Sequence, residues 1–91
     1  MKVFFPIRWI DVDATGHHPS NTKYRVSVGH EHWDEGPQHV LKVQMVYNGA
    51  VSGRRSPSYP TETDDWERVV DAMRALMRGE GASGRGQINP V

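Results

Sequence analysis

The chain contains no cysteine, which removes disulfides, thiolate metal sites and cysteine nucleophiles together. It has no excess of charge of one sign: eleven basic side chains balance eleven acidic ones, so there is no bulk attraction to nucleic acid or to an anionic membrane surface. It also lacks any apolar run approaching the ~20 residues that cross a bilayer. Near the start, Val3, Phe4, Phe5 and Ile7 are interrupted by Pro6 and Arg8, and no small-residue cleavage site follows, which departs from the pattern of a secretory leader. These absences point to a soluble, cytoplasmic protein with no membrane partner. With 91 residues there is room for one core, burying little more than ~60% of the surface the unfolded chain exposes. Packing, or a partner subunit, must supply the rest of the stability.

What is present is patterned. From Lys2 to Ile10 the chain reads as a first strand, and Pro6, which has no amide proton, places it at a sheet edge or at a bulge. Asp11 to Thr22 (DVDATGHHPSNT) is dense in turn formers and reads as a loop. Tyr24, Val26 and Val28 alternate with polar residues as a short second strand ended or bulged at Gly29, and His30 to Gln38 reads as a second loop. Val40 to Tyr47 is the clearest strand, with Leu41, Val43, Met45 and Tyr47 on one face. Asn48-Gly49 then predicts a type I′ turn, with a returning strand from Ala50 to about Ser56.

A helix follows. Asp64 is placed to cap it and Glu67, three residues on, to complete a capping box. Trp66, Val69, Val70, Met73, Leu76 and Met77 form an apolar stripe, and Gly79 stops the helix. The predicted fold is a small α+β domain over residues 1–79, with a twisted antiparallel sheet of three to four strands in β-β-β-β-α order and one C-terminal amphipathic helix on one face. Its expected core is Phe5, Ile7, Val26, Val28, Leu41, Val43, Met45, Trp66, Val69, Val70, Met73 and Leu76. Residues 80–91 are glycine-rich and nearly devoid of apolar side chains, which predicts a flexible tail.

Charge is unevenly placed. Residues 41–60 carry Lys42, Arg54 and Arg55 and no acid, whereas the segments on either side mix both signs. Extended from the Asn48-Gly49 turn, the hairpin register sets Val43 opposite Arg54 and Lys42 opposite Arg55, gathering cations on one sheet face beside Gln44 and Tyr59. Lys42, Gln44, Arg54, Arg55 and Tyr59 are therefore the candidate residues for binding a protein partner or nucleic acid; a basic sheet with aromatics suits single strands. The β-β-β-β-α order with a basic sheet resembles, in topology only, the single-stranded DNA-binding domains of the transcriptional-coactivator type, which implies a nucleic-acid-binding sheet face.

Five histidines are present, and His30 and His32, one residue apart, point to the same side of an extended segment and are weak candidates for a metal site completed by Glu31, Asp34, His17, His18, Asp11 or Asp13. Asp11 and Asp13, or Ser20 and Ser27 near His17 and His18, have no nucleophile elbow or phosphate-cradling loop around them. No enzyme activity and no cofactor are expected. The expectation is a non-enzymatic module acting through a protein partner, as an accessory, regulatory or inhibitory protein of the phage or mobile-element type, or as a homodimer. Nucleic-acid binding through residues 42–55 is the alternative, and a metal-binding protein or metal-dependent hydrolase the third reading.

Overall fold

Asn48 and Gly49 both adopt positive φ, 50° and 82°, as a type I′ turn requires. They join two antiparallel strands at Tyr47↔Ala50. A computed structural model of the chain, described for residues 3–83, contains β1 (Phe4–Asp13), β2 (Thr22–Trp33), β3 (Gly36–Tyr47), β4 (Ala50–Val51) and the helix α1 (Asp65–Met77). The strands form one antiparallel sheet in the order β1-β2-β3-β4, and α1 packs over β1 and β2. The expected α+β architecture is what the chain adopts. Among the described residues, no helix is long and apolar enough to cross a membrane.

Where the elements differ from expectation, the causes are local. The His30 to Gln38 segment is not a loop: β2 and β3 stay paired up to Trp33↔Gly36, with Asp34 and Glu35 as the turn. Polar side chains do not forbid a strand when the backbone ladder is continuous. β1 runs on to Asp13, and its register slips between Pro6 and Arg8, so that Pro6 faces Gly29 and Arg8 faces Val28. The slip makes Ile7 the extra residue of a bulge. It sends Arg8, Ile10 and Val12 to the helix side and leaves Phe4 and Pro6 on the opposite face. Ile7 is consequently exposed while Phe4 is fully buried. Gly29 is required there, because a Cβ would lie 2.2 Å from the Phe5 carbonyl oxygen.

The core under the helix is built from cross-strand rows. Val12, Tyr24 and Met45 form one row, and Ile10, Val26 and Val43 the next. Val69, Ala72 and Leu76 cover them from above. The buried helix positions are Asp65, Val69, Ala72 and Leu76, so the stripe is turned relative to the expected one, and Trp66 and Met77 stand in solvent. Asp65 lies on this buried side, bonded to Thr15, Tyr24 and Arg68. The expected capping box does not form: Asp64 makes no side-chain cap bond and instead accepts from Arg68 Nε at 3.1 Å. The hydroxyl of Thr63 accepts the Asp65 amide at 3.3 Å in its place. At the other end, Arg8 Nη2 donates to the Leu76 carbonyl at 2.8 Å, satisfying a helix C-terminal acceptor. The chain then returns to the sheet, where Ala82 and Trp9 exchange two backbone hydrogen bonds of 2.9 Å each. The remainder of the expected tail, from residue 84 onward, lies outside the described residues.

Candidate functional site

The returning strand stops at Val51, five residues before the expected end. Ser52 is the reason. Its hydroxyl accepts the amides of Arg54 at 3.4 Å and Arg55 at 3.2 Å, and a side chain that bonds its neighbouring backbone in this way competes with the ladder and peels the strand off. Arg54 and Arg55 therefore do not lie opposite Val43 and Lys42, and the cationic sheet face does not assemble. Lys42 is committed elsewhere: its ammonium bonds Glu31 across the sheet and sits 5.5 Å from the centre of the Phe4 ring. Gln44 is buried, and among the described residues neither of its amide atoms has a partner. Tyr59 turns inward, its ring 5.0 Å from that of Tyr24, and burial raises its phenol above the usual value. Of the five predicted contact residues, only Arg54 and Arg55 remain in the exposed loop.

Released from the sheet, residues 52–60 cross toward the β1–β2 loop. Between them lies an open cavity of about 670 Å3 lined by His17, His18, Pro19, Tyr47, Arg55, Ser56 and Ser58. The Arg55 guanidinium lies 6.0 Å from the centre of the Tyr47 ring, within reach of a cation–π interaction. No carboxylate lines the cavity, and among the described residues Arg55 forms no ion pair. The acids at the helix start, Asp64 and Asp65, pair with Arg68 instead.

The rear wall is held rigidly. The Ser58 carbonyl can only accept, so the 2.8 Å contact from His18 Nε2 fixes the proton on that nitrogen and leaves Nδ1 as the other ring site. The Tyr24 hydroxyl, 2.9 Å from the same carbonyl and 3.1 Å from His18 Nε2, donates to Asp65 Oδ2 at 2.7 Å. Asp65 also accepts the Thr15 amide at 2.9 Å, the Thr15 hydroxyl and Arg68 Nη2 at 2.7 Å. Four donors thus occupy a fully buried carboxylate. Burial alone would raise its pKa, but the Thr15 and Tyr24 hydrogen bonds and the Arg68 charge outweigh burial and hold the group well below the usual carboxylate range. Burial, reinforced by the hydrogen bond to Asp65 and the Asp65 charge, pushes the Tyr24 phenol well above its ordinary value. Arg68 completes the clamp by donating Nη1 to the Asp13 carbonyl at 2.9 Å.

The remaining predicted residues are spread over the sheet. His30 and His32 do share a face, and His39 joins them across the hairpin with its ring 5.0 Å from that of His30. His32 packs on Phe5 at 5.3 Å. Among the described residues, no three His, Cys, Asp or Glu side chains are grouped to hold a metal ion. The full length of β2 separates these histidines from His17 and His18. Asp11 is held by a bidentate Arg25 at 2.8 and 3.0 Å, Asp13 pairs with Lys23 at 3.3 Å, and Ser27 is buried without a partner for its hydroxyl. None of these groups adjoins a nucleophile and a base together. Comparison with known proteins adds nothing further: no family model, curated protein or solved structure matches the chain.

Proposed function

We propose that this chain is a small non-enzymatic binding module that receives an anionic side chain of a protein partner in the cavity between the β1–β2 loop and residues 52–60. The observation that carries this reading is Arg55, a guanidinium on the wall of a cavity that contains two histidines and two serines and no acid. A planar guanidinium binds carboxylate or phosphate with two parallel hydrogen bonds. The cavity is open enough to take a side chain from a docked surface. A protein ligand fits better than a nucleic acid because the cations of the sheet are already engaged, Lys42 with Glu31, Arg25 with Asp11, Lys23 with Asp13 and Arg8 with the Leu76 carbonyl. They leave no continuous basic track for a phosphate backbone, whose neutralisation dominates nucleic-acid affinity.

The test is an amide NMR titration with a short phosphoserine peptide, its unphosphorylated acidic counterpart and a single-stranded oligonucleotide. Saturable shifts at His17, Tyr47, Arg55 and Ser56 with a peptide, lost in Arg55→Ala and kept in Arg54→Ala, are expected. Binding of the oligonucleotide alone, with affinity falling steeply in salt, would transfer the site to nucleic acid. Shifts indifferent to Arg55 would remove the reading.

A further inference from the structure

His30 and His39 stand directly opposite each other on β2 and β3. The Ser52 amide donates to the Met45 carbonyl at 2.8 Å, so the backbone groups of Met45 face away from β2. Alternation along an antiparallel strand turns those of Val43, Leu41 and His39 the same way. His39 and His30 are therefore a non-hydrogen-bonded pair, the closer of the two kinds, with Cα atoms about 4.5 Å apart. Their ring centres lie 5.0 Å apart, with the planes tilted by 37°. Both side chains are exposed, beyond the rows that Val69, Ala72 and Leu76 cover. Among the described residues neither ring makes a hydrogen bond or an ion pair, so their nitrogens are uncommitted.

That separation is the one a shared metal ion requires. With metal–nitrogen bonds of about 2.0–2.1 Å, each ring centre sits about 3.2 Å from the ion, and a nitrogen–metal–nitrogen angle of about 90–110° sets the centres about 4.5–5.2 Å apart. The third member of the row is Phe5, so no cation stands in it to repel the ion. In the flanking rows, Arg8 is turned to the Leu76 carbonyl and His32 packs against Phe5 at 5.3 Å. Three ligands do not converge among the described residues, but a two-point chelate needs only this pair.

We propose that His30 and His39 chelate one divalent transition-metal ion of the class that imidazole favours, copper, nickel or zinc, with water or other exchangeable ligands in its remaining positions. No carboxylate belongs to the row, so the oxygen-seeking magnesium and calcium ions are not held. The strands place both imidazoles before the ion arrives. The second nitrogen therefore binds intramolecularly, at an effective concentration that makes the pair stronger than a single histidine. The site lies at the opposite end of β2 from the β1–β2 loop and the Arg55 cavity, so it is independent of the ligand reading above.

Isothermal titration calorimetry of the untagged full chain with zinc chloride, and with magnesium chloride as the control, tests the site. It is run on the wild type and on His30→Gln, His39→Gln, His32→Gln and His17→Gln. The expected result is a single zinc ion per chain with a dissociation constant below about 1 mM and no heat from magnesium. Affinity should fall at least about tenfold in His30→Gln and in His39→Gln and stay unchanged in the other two variants. All four histidines are exposed, so the variants should keep the wild-type circular dichroism spectrum. The ring NMR signals of His30 and His39, shifting together as zinc is added to the wild type, give a readout that needs no variant. A wild type with no saturable zinc binding overturns the proposal. So does affinity that survives either His30→Gln or His39→Gln, or that falls as far in His32→Gln or His17→Gln.

Discussion

Asp65 and Arg55 are linked to the cavity differently: Asp65 holds the Tyr24 hydroxyl that touches the Ser58 carbonyl, whereas Arg55 lines the cavity itself. Asp65 is fully buried and receives four hydrogen bonds, from Thr15 twice, Tyr24 and Arg68. Arg55 is exposed and has an aromatic ring beside it but no carboxylate. In the sequence both are charged residues in polar surroundings. A buried charge survives only when its hydrogen-bonding capacity is filled, so the saturation of Asp65 marks a structural pin holding the helix start, the β1–β2 loop and β2 together. A surface cation gains little from an ion pair, and one left unpaired at the rim of a concave, acid-free site is available to a ligand.

The largest way to break this comparison is to remove the pin. Asp65→Asn leaves Arg68 without its buried counter-charge and turns one of the two acceptor oxygens into a donor facing either Thr15 N and Tyr24 or the Thr15 hydroxyl and Arg68, and about 3–5 kcal/mol of stability should be lost, measured as a drop in the urea midpoint at unchanged slope. Tyr24→Phe deletes one hydrogen bond to a charged acceptor and should cost about 1.5–3 kcal/mol, with the His18 ring losing its neighbour and its NMR signals shifting.

Acid probes the same pin without mutation. Because the folded-state carboxyl of Asp65 lies below its ordinary value of 3.8, its contribution is complete above about pH 4 and is lost as the pH falls toward the lower folded-state value. Urea midpoints collected between neutral pH and pH 3 should decline below pH 4, and the decline should be shallower in Asp65→Asn. The smallest stability effect belongs to Arg55→Ala, expected within about 0.5 kcal/mol of the wild type, although ligand affinity falls at least about tenfold, as removing a charge-assisted bidentate contact implies.

The parts of the fold legible in the sequence are those set by near neighbours. Asn48-Gly49 places its turn to the residue because both positions need positive φ. Pro6 signals an edge and a bulge, and the periodicity after Asp64 fixes the helix. The misses arise where one side chain redirects the chain. Ile7 alone shifts the β1 register and exchanges Phe5 for Phe4 in the interior, and the hydroxyl of Ser52 ends β4 and separates Arg54 and Arg55 from Lys42. A serine two and three residues before the arginines was the available signal for that turn. The pairing of Asp65 with Thr15 and Tyr24 spans 50 and 41 positions, which no local pattern encodes. The cavity is illegible for the same reason: His17 and His18 meet Arg55 only because the strand was peeled away.

The most direct measurement of the division between pin and rim is the peptide titration followed on wild type, Arg55→Ala and Arg54→Ala, with the urea midpoint of each protein recorded alongside. The account predicts that all three proteins are equally stable, that wild type and Arg54→Ala bind with shifts around His17, Tyr47 and Ser56, and that Arg55→Ala does not bind. Binding retained in Arg55→Ala, or a loss of stability in that variant that accompanies the loss of binding, would contradict it.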